Sequence, residues 1–150
     1  MQALDIDYYT VSQDMQATEF SELFASVGWS CPTQEQMNFA IRNSTKSFIV
    51  RHKDRAVATI NWLGDYGMHW FMKEFIVSRE FQGQMIGTFL YRFSENFIKS
   101  TLKENWKVCI DLRASKGQEG FYRSLGFQIM SENETGSGME KMIGGNDRWS

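Results

Sequence analysis

The sequence has little with which to crosslink itself or to hold a metal through a local motif. Its two cysteines, Cys31 and Cys109, are too few for a disulfide framework. Neither has a second Cys or a His at ligand spacing nearby, so they do not suggest zinc, no metal is expected, and both read as small buried side chains. Basic runs are also missing. With 16 Lys and Arg against 18 Asp and Glu, the net charge is -2 and the footprint of a nucleic-acid binder is absent. Apolar stretches such as Phe75 to Val77 are far too short to span a bilayer, so no membrane partner is expected. The first residues, Met1 to Asp7, lack the basic and apolar regions of a secretory leader, and a cytoplasmic location is the expectation. No Gly-Lys-Ser/Thr follows a glycine loop and no G-x-G-x-x-G occurs, which excludes P-loop and dinucleotide-binding readings.

What is present reads as one domain over residues 1–150, a length that buries roughly 68–70% of its unfolded surface. Residues 4–11 partly alternate apolar with polar, as a half-buried strand does. Phe20, Leu23, Phe24 and Val27 fall at helical spacing before Gly28. After the single proline, Pro32, the pair Thr33 and Gln36 marks a second helix running to about Asn43. Three strands follow as a meander: 47–52, 56–63 and 68–77, with turns at Lys53-Asp54-Arg55 and Gly64 to Gly67. The period then changes. Ile86, Phe89, Leu90, Phe93 and Phe97 line one face of a long helix reaching about Lys103. Short strands are predicted at 107–112, 127–130 and 139–143, a short helix at 118–125, and a frayed tail at 144–150. The order is mixed α/β: an antiparallel meander followed by one strand-helix-strand crossover, the unit that sets strands parallel.

The loop between the third meander strand and the long helix is the chief candidate for a site. Gln82, Gly83, Gln84, Met85, Ile86, Gly87 and Thr88 lead into a helix whose first N–H groups lack intrahelical acceptors, and the helix dipole there favours an anion. Gly83 and Gly87 let a phosphate approach the main chain. This run resembles the pyrophosphate motif of the GNAT superfamily, [RQ]-x-x-G-x-[GA], as Gln82-x-x-Met85-x-Gly87 after Phe75-Ile76-Val77. Forty residues past Gln82, Phe121-Tyr122-Arg123-Ser124-Leu125-Gly126-Phe127 resembles that family's F-Y-x-x-L-G-F segment. The likeness covers roughly Phe48 to Ile143. Two positions depart from it: Met85 replaces the usual first glycine, and Ser115 stands where many members have an asparagine.

The resemblance implies the GNAT acyl-CoA N-acyltransferase fold, a twisted, mostly antiparallel central sheet flanked by about four helices. It also implies acetyl-CoA as cofactor and a primary amine of a small molecule or peptide as acceptor, with direct transfer in a ternary complex. By the same likeness Phe75, Ile76 and Val77 would pair with the pantetheine arm, and Gln82 to Thr88 would cradle the phosphates. Ser115 would be a further cofactor contact, and Tyr122 the general acid. Glu74, three residues before Val77, is a candidate base; period-two alternation places it on the face opposite Phe75. Gly28-Trp29-Ser30-Cys31-Pro32 resembles the G-W turn of some small bacterial members, making Trp29 a wall or cation-π partner for the amine. His69, alone within its strand, reads as structural. The alternative is a catalytically degenerate GNAT-fold protein that binds acyl-CoA or serves as an interaction module because Met85 has altered the cradle. A homodimer is left open.

Overall fold

The computed structural model describes residues 9–132 and 134–146. Its elements are β1 (Tyr9–Ser12), α1 (Ala17–Ser26), α2 (Gln34–Asn43), β2 (Lys46–His52), β3 (Arg55–Gly64), β4 (His69–Val77), α3 (Ile86–Ser100), β5 (Cys109–Leu112) and α4 (Glu119–Ser124). Short 3-10 turns lie at Arg79–Phe81 and Met130–Glu132. The expected strand over 4–11 survives as β1, its residues 4–8 lying outside the described ones, as do 147–150 of the expected tail. The chain divides after Leu112 into two compact units.

The first unit is a five-stranded sheet in the order β1-β2-β3-β4-β5. All pairs are antiparallel except β4 with β5, which α3 connects as a crossover. The β2–β3 hairpin turns on Lys53 and Asp54, both with positive φ (48° and 65°), the conformation that matches the right-handed twist of the flanking strands. At the β3–β4 turn, Asp65 Oδ1 accepts the N–H groups of Gly67, Met68 and His69 at 2.9, 2.7 and 3.0 Å. Those bonds, the one from His69 foremost, hold its carboxyl down at about 2.

Each face of the sheet carries its own core. On one, Phe20 and Leu23 of α1 and Met37 of α2 pack with Ile49, Ala56 and Ile76. On the other, α3 buries Ile86, Leu90 and Ile98, each contributing roughly 1.5–3 kcal/mol. Phe93 and Phe97 meet Phe48 edge-on at 5.2 and 5.5 Å, and Phe97 meets Trp70 at 6.1 Å. Arg51 fastens the start of α1 to the sheet. Its guanidinium donates to both oxygens of Glu19, to Ser12 Oγ and to the Asp14 and Asp54 carbonyls. The bond to Arg51 holds the Glu19 carboxyl below its usual range.

The second unit contains α4 and the turns around it, with Arg123 on Glu132 at 2.8 Å and Arg113 paired with Glu140. The predicted strands at 127–130 and 139–143 do not form among the described residues. Residues 127–129 are irregular and Met130 opens a 3-10 turn, while Met139, Met142 and Ile143 are 97%, 86% and 77% exposed, so their alternation buries no face. Both cysteines are exposed rather than buried. No helix among the described residues is long and apolar enough to cross a membrane.

Candidate functional site

The decisive local feature is a bulge in β4. Lys73 is opposite Asn61 and Ile76 is opposite Thr59, leaving Glu74 and Phe75 against the single residue Ile60. Glu74 has φ +37°, a conformation that L residues avoid and that costs roughly 1–3 kcal/mol. The extra residue reverses the strand's faces. Trp70 lies on the α3 side, yet Ile76, an even number of residues later, joins the α1/α2 core. Period-two alternation therefore does not carry through the bulge and assigns no face to Glu74 or Phe75.

Buried polar groups hold the bulge. The amide of Asn61, only 1% exposed, donates to the Glu74 carbonyl at 2.9 Å and to Thr59 Oγ1 at 3.2 Å, while its oxygen accepts from Ser47 Oγ at 2.7 Å. A buried amide with three good bonds is a rigid clamp, because losing any one of them strands a desolvated group. The Glu74 side chain is half-buried. The Lys73 ammonium stands 3.1 Å from Oε2, close enough to pair charges but outside hydrogen-bond alignment, and Oε2 has no hydrogen-bond partner. Sequence reasoning passed over Ser47, Thr59 and Asn61. The available signal was polarity inside an otherwise apolar strand, Ala-Thr-Ile-Asn-Trp-Leu.

Beyond the bulge the two edges of β4 diverge in their pairing. Its ladder with β5 ends at Met72 and Leu112, whereas β3 accompanies it to Val77. Ile76 and Val77 thus lie past the last β5 pair and lead directly into the glycine loop. There Gln82 folds back, its amide donating to the Val77 carbonyl at 3.0 Å, and Tyr9 donates to Gln84 Oε1 at 3.2 Å. Gly83 and Met85 both adopt left-handed backbone, with φ 78° and 66°. A Cβ on Gly83 would meet nothing within 4 Å, so the space beside the main chain is open. Met85 caps α3 from the left-handed region, and the first intrahelical bond is Phe89 N–H to the Met85 carbonyl at 3.0 Å. The N–H groups of Ile86, Gly87 and Thr88 therefore head the helix without intrahelical acceptors. Buried Ile86 pins the helix to the sheet, and the Met85 side chain is 41% exposed. The left-handed cap explains why a glycine suits this position: it adopts φ +66° without the cost a Cβ incurs.

The first unit thus brings together Glu74, Phe75, Ile76, Val77 and Gln82 to Thr88. Tyr122 and Ser115 belong to the second. Tyr122 lies in α4, half-buried, its ring edge-on to Phe121 at 5.3 Å and to Phe127 at 5.9 Å. Burial pushes its hydroxyl above the ordinary tyrosine range, so it keeps its proton at neutral pH. Ser115 is exposed ahead of α4, its carbonyl accepting from Gln118 N–H at 2.9 Å.

Trp29 is placed by the end of α1. Gly28, at φ 77°, donates to the Ala25 carbonyl at 3.1 Å and Trp29 N–H to the Phe24 carbonyl at 3.0 Å, the paired bonds of a Schellman ending. The apolar contact that accompanies this ending is Trp29 edge-on to Phe24 at 5.5 Å. Trp29 is still 38% exposed, so one side of the indole remains open.

Known proteins share this fold. The family described as acetyltransferase (GNAT) domain matches residues 43–129. A protein of unknown function from meticillin-resistant Staphylococcus aureus, described as a probable acetyltransferase, superposes with TM-score 0.78 at 23% identity, covering 90% of this chain and 98% of that one. A GNAT family acetyltransferase from Streptococcus pneumoniae gives 0.71 at 25% identity over 90% and 96%. An aminoglycoside acetyltransferase from an uncultured soil metagenomic sample, solved with sisomicin, shares the fold at 0.59 and 12% identity over 97% and 99%. No curated protein sequence is significantly similar to the chain. With the family match running across more than half of the sequence, the chain belongs to the GNAT acetyltransferase family.

Proposed function

We propose that residues 1–150 form a single N-acetyltransferase domain that transfers an acetyl group from acetyl-CoA to a primary amine of a small molecule or peptide. The observation that carries this reading is the end of β4, where a strained, polar-clamped bulge directs Ile76 and Val77 past the last β5 pair and into an open, left-handed helix start. The family match spans the division at Leu112, which supports one functional domain.

Each part of the reading has a physical task. The N–H groups of Ile86, Gly87 and Thr88 and the main chain of Gln82, Gly83, Gln84 and Met85 suit the phosphates of CoA, because a helix start offers uncompensated donors and a favourable dipole. The main chain of Phe75, Ile76 and Val77 suits an extended pantetheine arm added as a strand, and Ser115 offers one hydroxyl to the cofactor. Bound acetyl-CoA supplies the activated acetyl group as a thioester. Glu74 accepts the amine proton, directly or through water, and Tyr122 donates its proton to the departing thiolate. Trp29 offers its open indole side to the cationic acceptor before deprotonation. Transfer is direct, so no side chain is asked to carry the acetyl group.

Thermal denaturation with CoA tests the cradle. Cofactor at 100 times its dissociation constant adds ~2.7 kcal/mol, which for a chain of this size raises Tm by roughly 5–11 °C. Gly87→Val should abolish the shift by filling the approach to the helix start. Met85→Gly should retain it and raise the Tm of the free protein, since glycine relieves a left-handed cost of roughly 1–2 kcal/mol. No shift at millimolar CoA, or loss of the shift in Met85→Gly, would remove the loop from the account.

A further inference from the structure

Away from the glycine loop, the parallel pairing of β4 with β5 creates a second cluster that sequence spacing does not suggest. His69 and Cys109, forty residues apart in the chain, are direct partners in the register, and Asp111 follows Cys109 on the same face of β5. One ligand atom from each of His69, Cys109 and Asp111 lies within 4.8 Å of the others. We propose that these three side chains form a Zn²⁺ site.

The geometry suits that ion. With Zn–S near 2.3 Å and Zn–N or Zn–O near 2.0–2.1 Å, tetrahedral ligand atoms stand about 3.3–3.6 Å apart. Cys109 Sγ and Asp111 Oδ1 are 3.4 Å apart, so one edge of the tetrahedron is in place, and the other two, within 4.8 Å, must shorten toward that spacing when the ion binds. The donor set is one thiolate, one imidazole and one carboxylate. Sulfur and nitrogen disfavour Ca²⁺ and Mg²⁺, which take oxygen ligands, whereas zinc accepts all three types. Binding replaces the Cys109 S–H bond with S–Zn and releases the proton to solvent.

The scaffold holds the ligands in place. The Cys109 N–H donates to the Met68 carbonyl at 2.8 Å. Asp65 clamps the main chain of His69 on both sides, its Oδ1 accepting the His69 N–H at 3.0 Å and its own N–H donating to the His69 carbonyl at 3.2 Å. His69 and Cys109 are exposed, so the ion reaches the site from solvent, and three protein ligands leave a fourth position for water. The metal ties β5 to β4 on the ladder that ends at Met72 and Leu112, just ahead of the bulge.

Titrating the metal-free full-length chain with Co²⁺, the spectroscopic substitute for zinc, and in parallel with Zn²⁺ tests the site. The expected result is a thiolate-to-cobalt charge-transfer band that saturates at one equivalent, and a rise in Tm with Zn²⁺. Cys109→Ser should abolish the band, while His69→Gln and Asp111→Asn should each weaken Zn²⁺ affinity at least tenfold with the metal-free Tm retained. Cys31→Ser should change neither reading. Absence of the band, its survival in Cys109→Ser or its loss in Cys31→Ser would overturn the proposal, as would unchanged Zn²⁺ affinity in both His69→Gln and Asp111→Asn.

Discussion

Replacing Tyr122 by phenylalanine is expected to lower turnover by roughly 10²–10⁴-fold while leaving cofactor affinity nearly unchanged. The ring sits in α4 between Phe121 and Phe127, and its carbonyl accepts the N–H groups of Leu125 and Phe127 at 3.0 and 3.1 Å. Phenylalanine preserves all of these contacts and deletes only the hydroxyl. The hydroxyl is protonated at neutral pH, the state a general acid requires, while burial raises it above the ordinary tyrosine range and so makes it a weaker proton donor. A thiol near pKa 8.5 leaves as a weak base, so burial of Tyr122 widens the mismatch that the proton transfer must overcome, and the size of the loss in Tyr122→Phe reads whether it is overcome. Measuring kcat under conditions where chemistry limits the rate decides the point. If Tyr122→Phe stays within about threefold of the parent, the thiolate leaves without help from this residue.

Glu74→Gln should have an effect of similar size, roughly 10²–10⁴-fold near neutral pH, but with a different signature. An amine acceptor is protonated there and must lose a proton before it attacks; as pH rises toward the ordinary amine value of about 10.4, that requirement fades. The loss caused by Glu74→Gln should therefore shrink with increasing pH. A merely structural role for Glu74, as charge partner of Lys73 or as occupant of the left-handed bulge position, predicts a loss that does not depend on acceptor ionisation. A pH profile of kcat for both proteins separates the two. A flat ratio would take the base role from Glu74 and give it to water.

Much of the fold was legible because periodicity and burial agree. Phe20 and Leu23 in α1, and Ile86 and Leu90 in α3, fall on the predicted helical faces and are buried, whereas Phe93 of the predicted α3 stripe is 39% exposed. The meander was legible because its strands are rich in Val, Ile and aromatics and turn-forming residues separate them, although Lys53 and Tyr66 take positive φ without being glycine. Residues 127–130 and 139–143 misled because alternation marks a strand only when another strand supplies hydrogen bonds and a core covers one face; here neither condition is met among the described residues. The glycine loop was found by its spacing, and the left-handed Met85 shows what the motif's glycine is for. The bulge at Glu74 left no local trace. It depends on Asn61 from the neighbouring strand, and no glycine or asparagine at position 74 announces the positive φ. The His69–Cys109 pairing was invisible for a related reason: parallel register joins positions separated by an entire crossover helix.

The central claim is transfer of an acetyl group to an amine, and free-thiol release from acetyl-CoA measures it most directly. The chain should be assayed against polyamines, aminoglycosides, arylalkylamines, amino acids and peptide N-termini, each beside a control without acceptor. The account predicts that at least one primary amine raises thiol release above the acceptor-free rate, that acetylated amine accumulates in equal amount, and that Gly87→Val lowers both together. Stabilisation by acetyl-CoA with no acceptor-dependent thiol release across the panel would contradict it, leaving a GNAT-fold protein that binds the cofactor without using it.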